Sequence, residues 1–116
     1  MLCRYKKALE KFAMGLLSFN PEQKDLKKLR ETMCRYETEE SWQLYLWKHQ
    51  DEYLGLIGVQ FEADIAYVQH VSVMPSHRGA GIARAMIEAI EELPEVARVE
   101  SAKANDTLVE NCIKHS

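Results

Sequence analysis

Two glycines with small neighbours stand where a strand-like run meets a helix-like run. The segment is RGAGIA, residues 78–83, in which one cationic side chain precedes mostly small residues. A helix N-terminus leaves its first backbone N–H groups unpaired and carries partial positive charge. Where the preceding loop lacks side chains, a phosphate can approach those N–H groups closely. The segment therefore favours anion binding, with a purely structural turn as the alternative.

Two familiar phosphate motifs do not fit this junction. A Walker loop would need a Gly-Lys-Ser/Thr ending, which the segment lacks. A dinucleotide fingerprint would need a third small residue at position 84, where the chain has Arg84. The Arg84 side chain can reach a phosphate or pair with Glu88 one helical turn later. Both roles stay open.

Apolar spacing predicts the elements that lead to the junction. Segments 8–19 and 22–36 carry apolar residues three and four positions apart, which is typical of amphipathic helices, with Phe12 and Leu26 on the apolar faces. We expect Asn20 to cap the second helix and Pro21 to begin it. Residues 42–73 alternate like three strands of an antiparallel meander. Within it, Gly55 and Gly58 indicate bulges or close backbone approaches.

The elements after the junction complete a mixed α/β sheet. A helix over 82–93, a strand over 96–104 and a short helix over 105–115 are expected. A strand, a helix and another strand imply a right-handed crossover and parallel pairing. With a short strand at the start, the order is β-α-α-β-β-β-α-β-α. We expect one domain over residues 1–116.

Composition excludes several classes of protein. The chain is 47% apolar and 28% charged with a net charge of −3, which is typical of a folded soluble domain and unlike a nucleic-acid binder. Three cysteines without a C-x-x-C pair argue against a disulfide scaffold and against a metal site. No apolar run approaches the roughly 18 residues that span a bilayer, and the N-terminus lacks a signal-peptide core. We expect a cytoplasmic protein without membrane partners.

The segment HVSVMPSHRGAGIARAMI, residues 70–87, resembles motif A of the GNAT acetyltransferase superfamily. That motif reads hydrophobic-x-Val-x-Pro-x-x-Arg/Gln-x-x-Gly-x-Gly/Ala and continues into an apolar helix. The matching positions are Val71, Val73, Pro75, Arg78, Gly81 and Ala83. The expected element order also resembles the family over nearly the whole chain. The opening residues 3–26 and the short length are similar to the small acetyltransferase encoded in bacterial riboflavin operons.

The resemblance implies acetyl-CoA as the cofactor and direct acetyl transfer to a primary amine in a ternary complex. Its pyrophosphate would lie on backbone N–H groups of the turn, namely those of Arg78, Gly79, Ala80, Gly81, Ile82 and Ala83. The pantetheine arm would pair with main-chain groups along Val71, Ser72 and Val73. Arg84 and Asn105 are further positions at which the resemblance implies cofactor contacts.

Acetyl transfer needs a deprotonated amine, a polarised carbonyl and a proton for the leaving thiolate. The resemblance places the base at positions that match Tyr67 or Gln69. The ordinary pKa of tyrosine is about 10, and glutamine does not titrate. We therefore expect the two side chains to order a water relay, with ordinary polar strand residues as the alternative. Strand alternation puts both on the face of Val71 and Val73, with His70 on the other face in a structural role.

The proton donor of the family is commonly a tyrosine on the last helix, and the matching position here is Cys112. A thiol can donate a proton, and a small buried residue is the alternative. The sequence ends directly after that helix, so the hairpin with which the family completes the sheet is expected to be short or absent. A minimal version, a shortened chain and a partner copy in a homodimer are alternatives for the missing wall.

The acceptor pocket would then rest on the first two helices and on Trp42, Tyr45 and Trp47, which are otherwise core residues. The expected enzyme is an N-acetyltransferase that acts on a small molecule or a protein. The competing interpretation is a non-catalytic acyl-CoA-binding module, since the usual base and tyrosine are missing.

Overall fold

The computed structural model describes residues 1–20, 23 and 25–102, in which strands and helices follow the predicted order. The strands are β1 Leu2–Arg4, β2 Trp42–His49, β3 Glu52–Glu62, β4 Ile65–Val73 and β5 Arg98–Ser101. The helices are α1 Glu10–Leu17, α2 Leu26–Thr38 and α3 Ile82–Glu91. The helix predicted over 105–115 lies outside the described residues. Across the described ranges, no helix is long and apolar enough to span a membrane.

The strands form one mixed sheet in the order β1-β2-β3-β4-β5. The three central strands make the predicted antiparallel meander, and β1 pairs antiparallel with the outer side of β2. β5 pairs parallel with β4, from Ile65 opposite Arg98 to Val68 opposite Ser101. The parallel pair confirms the crossover expected from the strand-helix-strand order.

Helices cover both faces of the sheet, and each face has its own core. α1 and α2 bury one face, where the core includes Leu16, Leu29, Met33, Leu44, Leu46 and Leu56. α3 buries the other face, where the core includes Ile57, Val59, Val68, Met86, Ile87 and Ile90. Each face is therefore apolar enough to hold its helices by burial of hydrophobic surface.

The second helix begins later than predicted. The side chain of Asp25 accepts a hydrogen bond from the Lys27 N–H at 3.0 Å, which makes Asp25 the N-cap. The prediction that Asn20 is the cap is wrong, and Pro21 lies outside the described residues. Leu26 is the first residue of α2 and is 57% exposed, so its assignment to the buried face is also wrong.

The apolar face of α1 is narrower than predicted, because Phe12 is 53% exposed. The ring of Phe12 lies over the surface residue Tyr53, with the ring centroids 4.9 Å apart. Ala13, Leu16 and Leu17 carry the buried contacts of this helix.

Gly55 and Gly58 are both positions of close approach, as their sequence context predicts. A Cβ atom at Gly55 would lie 3.0 Å from Met86 of α3. A Cβ atom at Gly58 would lie 2.0 Å from the phenol oxygen of Tyr36 of α2. The glycines therefore let helices from both layers approach β3 closely.

Candidate active site

The turn before α3 has the bare backbone that its sequence predicts. Gly79 and Gly81 have φ angles of +85° and +81°, a left-handed region that glycine adopts without a steric penalty. Gly81 is the N-cap of α3, and because glycine has no side chain, the helix begins without a side-chain capping bond. A Cβ atom at either glycine would meet nothing within 4 Å. The glycines therefore serve backbone conformation, and no described residue fills the space in front of them.

Several backbone N–H groups of this turn have no backbone acceptor in the part of the chain that the structure describes. Within the described ranges, no backbone carbonyl accepts a hydrogen bond from the N–H groups of Gly79, Gly81, Ile82 or Ala83. Fewer N–H groups of residues 78–83 are open than the sequence predicts. The Arg78 N–H donates to the Pro75 carbonyl at 3.4 Å, and the Ala80 N–H donates to the His77 carbonyl at 3.3 Å. The open donors at a helix N-terminus are suited to an anion.

The second half of β4 has an open edge, meaning that no strand in the described part of the chain pairs with it. β5 pairs with β4 only up to Val68, and the last bond joins the Ala102 N–H to the Val68 carbonyl at 3.0 Å. On the other edge, the Met74 N–H donates to the carbonyl of Leu54 in β3 at 2.8 Å. Hydrogen-bonding groups alternate between the two edges of a strand, so those of Val71 and Val73 point to the open edge. Those of Ser72 point to β3, which contradicts a main-chain role for Ser72.

The glycine turn and the open edge border one cleft of about 580 Å³. Phe19 and Asn20, which follow α1 directly, also line it. Sequence reasoning did not find these two residues, because nothing local links them to the turn. Of the described residues that line the cleft, the two with charged side chains are Arg78 and Arg84. Among the described residues, Arg84 forms no ion pair with Glu88.

These features fit a ligand with an anionic group at one end and amides along its length. Open N–H groups and two arginines meet the anion, and an unpaired strand edge meets the amides. The residues that would hold coenzyme A are thus brought together as predicted, apart from the main-chain groups noted above. Asn105 and Cys112 lie outside the described residues.

A bulge in β4 reverses the predicted faces of the strand. Gly58 of β3 pairs with His70 and Val59 pairs with Val68, so Gln69 is an extra residue without a partner of its own. Gln69 and His70, the two residues at the bulge, then face the same side of the sheet. Val71 and Val73 pack into the core under α3, whereas His70 contacts Tyr36 of α2. The prediction that Gln69 shares a face with Val71 is therefore wrong.

The same bulge places His70 beside Tyr67 and Gln69 rather than opposite them. Tyr67 pairs with Gln60 of β3, and the Gln69 amide donates to the Gln60 side chain at 3.4 Å. Gln60 lies two residues from Gly58 in β3 and therefore faces the same side of the sheet. Gly58 pairs with His70 and lies against the Tyr36 ring. The predicted separation of His70 from the two polar residues is wrong, since one inserted residue shifts the alternation.

A buried hydrogen bond holds His70. Its Nδ1 atom lies 2.5 Å from the phenol oxygen of Tyr36, and both side chains are buried. Burial raises the pKa of Tyr36, so the phenol stays protonated and can donate to Nδ1. Tyr36 also contacts Trp42 edge to face, with centroids 5.2 Å apart. His70 is thus fixed from α2, a constraint with no local sequence signal.

The three aromatic residues expected under the acceptor do not form one surface. Tyr45 and Trp47 pack into the core under α3. Trp42 packs on the opposite face, where the Arg35 guanidinium lies 3.9 Å from its ring centroid. Strand alternation separates them, and the expectation that they share the acceptor pocket is wrong. Among residues 1–20, 23 and 25–102, no group of three His, Cys, Asp or Glu side chains could hold a metal ion.

A family model for the acetyltransferase (GNAT) family matches residues 9–111. The chain belongs to this family. An uncharacterized N-acetyltransferase from the lysA 3' region of Bacillus methanolicus is 55% identical over 97 residues, which are 80% of this chain and 78% of that protein. As a GNAT member, the protein is an acetyl-CoA-dependent N-acetyltransferase. Membership favours the enzyme over the non-catalytic binding module.

Solved structures show the same GNAT fold at low sequence identity. The aminoglycoside antibiotic 6'-N-acetyltransferase AAC(6')-IG from Acinetobacter haemolyticus has a TM-score of 0.73 at 14% identity, over 99% of this chain and 87% of that one. A possible acetyltransferase from Clostridium difficile 630 has a TM-score of 0.75 at 12% identity, over 99% and 86%. AAC(6')-Iy in complex with a bisubstrate analogue of CoA has a TM-score of 0.78 at 11% identity, over 99% and 86%. These similarities confirm the predicted fold class.

Proposed function

We propose that this GNAT protein transfers acetyl from acetyl-CoA to a primary amine by direct attack in a ternary complex. One observation carries the proposal: the bare turn before α3 and the open edge of β4 border the same cleft. An extended ligand can therefore contact both at once. The reactive end of such a ligand would lie towards Gln69, where β4 and β5 separate.

The donor half of the site is built from main-chain groups. The N–H groups of Gly79, Gly81, Ile82 and Ala83 would bind the pyrophosphate, with Arg78 and Arg84 adding positive charge. The main-chain groups of Val71 and Val73 would pair with the amides of pantetheine. When bound, acetyl-CoA supplies the activated acyl group, and the chain supplies position and charge.

The acceptor half gathers around the bulge. In the transfer, a C–N bond forms, the C–S bond breaks, the amine loses a proton and the thiolate gains one. Tyr67 and Gln69 would order a water that accepts the amine proton, since both side chains can hydrogen-bond to water. His70 faces the same side and is held by Tyr36, so it is a further group through which this proton can pass. Cys112 is proposed as the proton donor to the thiolate.

The acceptor is proposed to be an amine of a small molecule or a protein. Two proteins that share the fold are an aminoglycoside antibiotic 6'-N-acetyltransferase and a spermidine N-acetyltransferase chimera. The names of these two proteins support an amine as the class of acceptor. We further propose a single domain over residues 1–116, a cytoplasmic location, assembly as a homodimer and a kinship with the small acetyltransferase of riboflavin operons.

Calorimetric titration with acetyl-CoA tests the donor site. Gly81→Asp adds a negative charge and a Cβ atom at a φ of +81° where the pyrophosphate would bind. We expect the Kd for acetyl-CoA to rise by about tenfold or more. Gly15→Asp adds the same charge on the exposed face of α1 and should leave the Kd unchanged. An unaltered protein that does not bind acetyl-CoA would contradict the proposal.

Release of free thiol with a panel of amines and peptides tests the reaction itself. Acetyl-CoA binding without release on any acceptor would contradict direct transfer to an amine while leaving the donor site standing. The proposed role of Cys112 requires that Cys112→Ala retain binding of acetyl-CoA and lose turnover. Unchanged turnover in that variant would remove Cys112 from the mechanism.

A further inference from the structure

Ser72 has a buried hydroxyl that the fold does not use. The residue is 5% exposed, and its Oγ atom has no hydrogen-bond partner in the part of the chain that the structure describes. Buried hydroxyls are nearly always hydrogen-bonded in native proteins, because leaving one unpaired destabilises the fold. A need for a small side chain under α1 would be met equally well by alanine. The hydroxyl therefore calls for a partner that residues 1–20, 23 and 25–102 do not supply.

The position of Ser72 indicates where that partner binds. Its main-chain groups point to β3, between Val71 and Val73, whose main-chain groups point to the open edge. Its side chain faces the α1 layer, the opposite side from the two valines, since the paired residue Leu56 belongs to the α1–α2 core. Residue 72 nevertheless borders the cleft, together with Phe19 and Asn20 at the end of α1.

We infer that the Ser72 hydroxyl donates a hydrogen bond to an amide carbonyl of the pantetheine arm. The inference rests on the proposed cofactor track and adds a side-chain contact to it. A carbonyl oxygen has two lone pairs, so it can accept from a main-chain N–H at the strand edge and from a hydroxyl beside it. Residue 72 borders the cleft while its Oγ atom is buried. Rotation about the Cα–Cβ bond would turn the hydroxyl towards the ligand, and the contact requires this movement. A ligand with a secondary amide at this level satisfies the orphan group.

Binding of two probes to purified protein tests this contact. The probes are CoA, which contains pantetheine, and adenosine 3',5'-bisphosphate, which lacks it. In Ser72→Ala, we expect the Kd for CoA to rise about 3- to 10-fold, as for loss of one neutral hydrogen bond. The Kd for the bisphosphate should stay unchanged. Ser72→Cys, with a larger side chain and a much weaker donor, should show the same pattern and so excludes a volume effect.

The melting temperature of the free protein provides a readout of opposite sign. Removing an unpaired buried hydroxyl should raise the melting temperature of Ser72→Ala by a few degrees while CoA binding weakens. An unchanged Kd for CoA would overturn the inference and leave the proposed function intact. Equal weakening of both probes, or a lower melting temperature, would show a structural role instead. An unaltered protein that fails to bind CoA would overturn the cofactor track together with this contact.

Discussion

Tyr36, His70 and Gly58 show how single residues connect the helical layer to the active-site strand. Tyr36 of α2 reaches across β3 to bond His70 of β4, and it crosses where β3 has no side chain. A buried phenol and a buried imidazole each need a partner, and here they satisfy each other. Glycine at position 58 is therefore a requirement of the hydrogen bond as well as of the strand.

Gly58→Ala should destabilise the protein by about 3 kcal/mol, because a Cβ atom there would overlap the Tyr36 ring and displace its bond to His70. Urea unfolding followed by circular dichroism measures the change. Gly15→Ala is the matched control, since a Cβ atom at Gly15 meets nothing within 4 Å. Gly15 lies inside α1, so this control should gain about 0.5–1 kcal/mol. Equal stability of both variants would contradict the packing described.

Among the elements, β4 carries the most function, and its bulge is the reason. The extra residue Gln69 lies where pairing with β5 ends, so one irregularity coincides with the opening of the edge. It also turns His70 towards α2 while keeping Val71 under α3.

Deletion of Gln69 should remove the bulge and leave the cores intact. Without it, Val68 and His70 become neighbours that point to opposite faces, as they already do, so every core side chain keeps its layer. We expect a folded protein whose Kd for acetyl-CoA rises about tenfold or more, because β4 and β5 can then pair further and close the edge. Gln69→Ala keeps the bulge and should bind normally. Normal binding by the deletion variant would separate the bulge from cofactor binding.

The elements themselves were largely predictable, whereas their exact contacts were not. Apolar spacing located α1, α2 and α3, and alternation located the meander, because burial of one face is a local requirement. The cap of α2 was misplaced because Asn20 and Asp25 are both good capping residues, and the choice depends on where the chain enters the layer. Gly58 marked the place of the bulge, but the sequence did not show that β4 carries the extra residue, because that appears only in the pairing with β3.

At the scale of the whole molecule, two cores on one sheet each bury a tyrosine. Tyr36 lies in the core under α1 and α2, and Tyr45 lies in the core under α3. Burial raises the pKa of both above the ordinary value of 10.0. A phenol with a raised pKa in the folded state contributes stability that is complete below the unfolded pKa and is lost above it.

The free energy of unfolding should therefore fall as the pH rises above about 10, where unfolded tyrosines ionise and the buried ones do not. Tyr36 alone should contribute a slope of about 1.4 kcal/mol per pH unit. Urea unfolding at pH values on both sides of this point measures the slope. Tyr36→Phe should lose that share of it, and equal slopes in both proteins would show that Tyr36 ionises freely when folded.

The sequence by itself determined what depends on neighbours along the chain: the order of elements, the glycine turn before α3 and the motif of the GNAT family. Those features follow from periodicity, backbone freedom at Gly79 and Gly81, and residue types at fixed spacing. Only the tertiary structure decided which face His70 occupies, that Phe19 lines the cleft, and that the Ser72 hydroxyl has no partner among the described residues. Each depends on pairing between residues far apart in the chain, where a one-residue shift in register moves a side chain from one layer to the other.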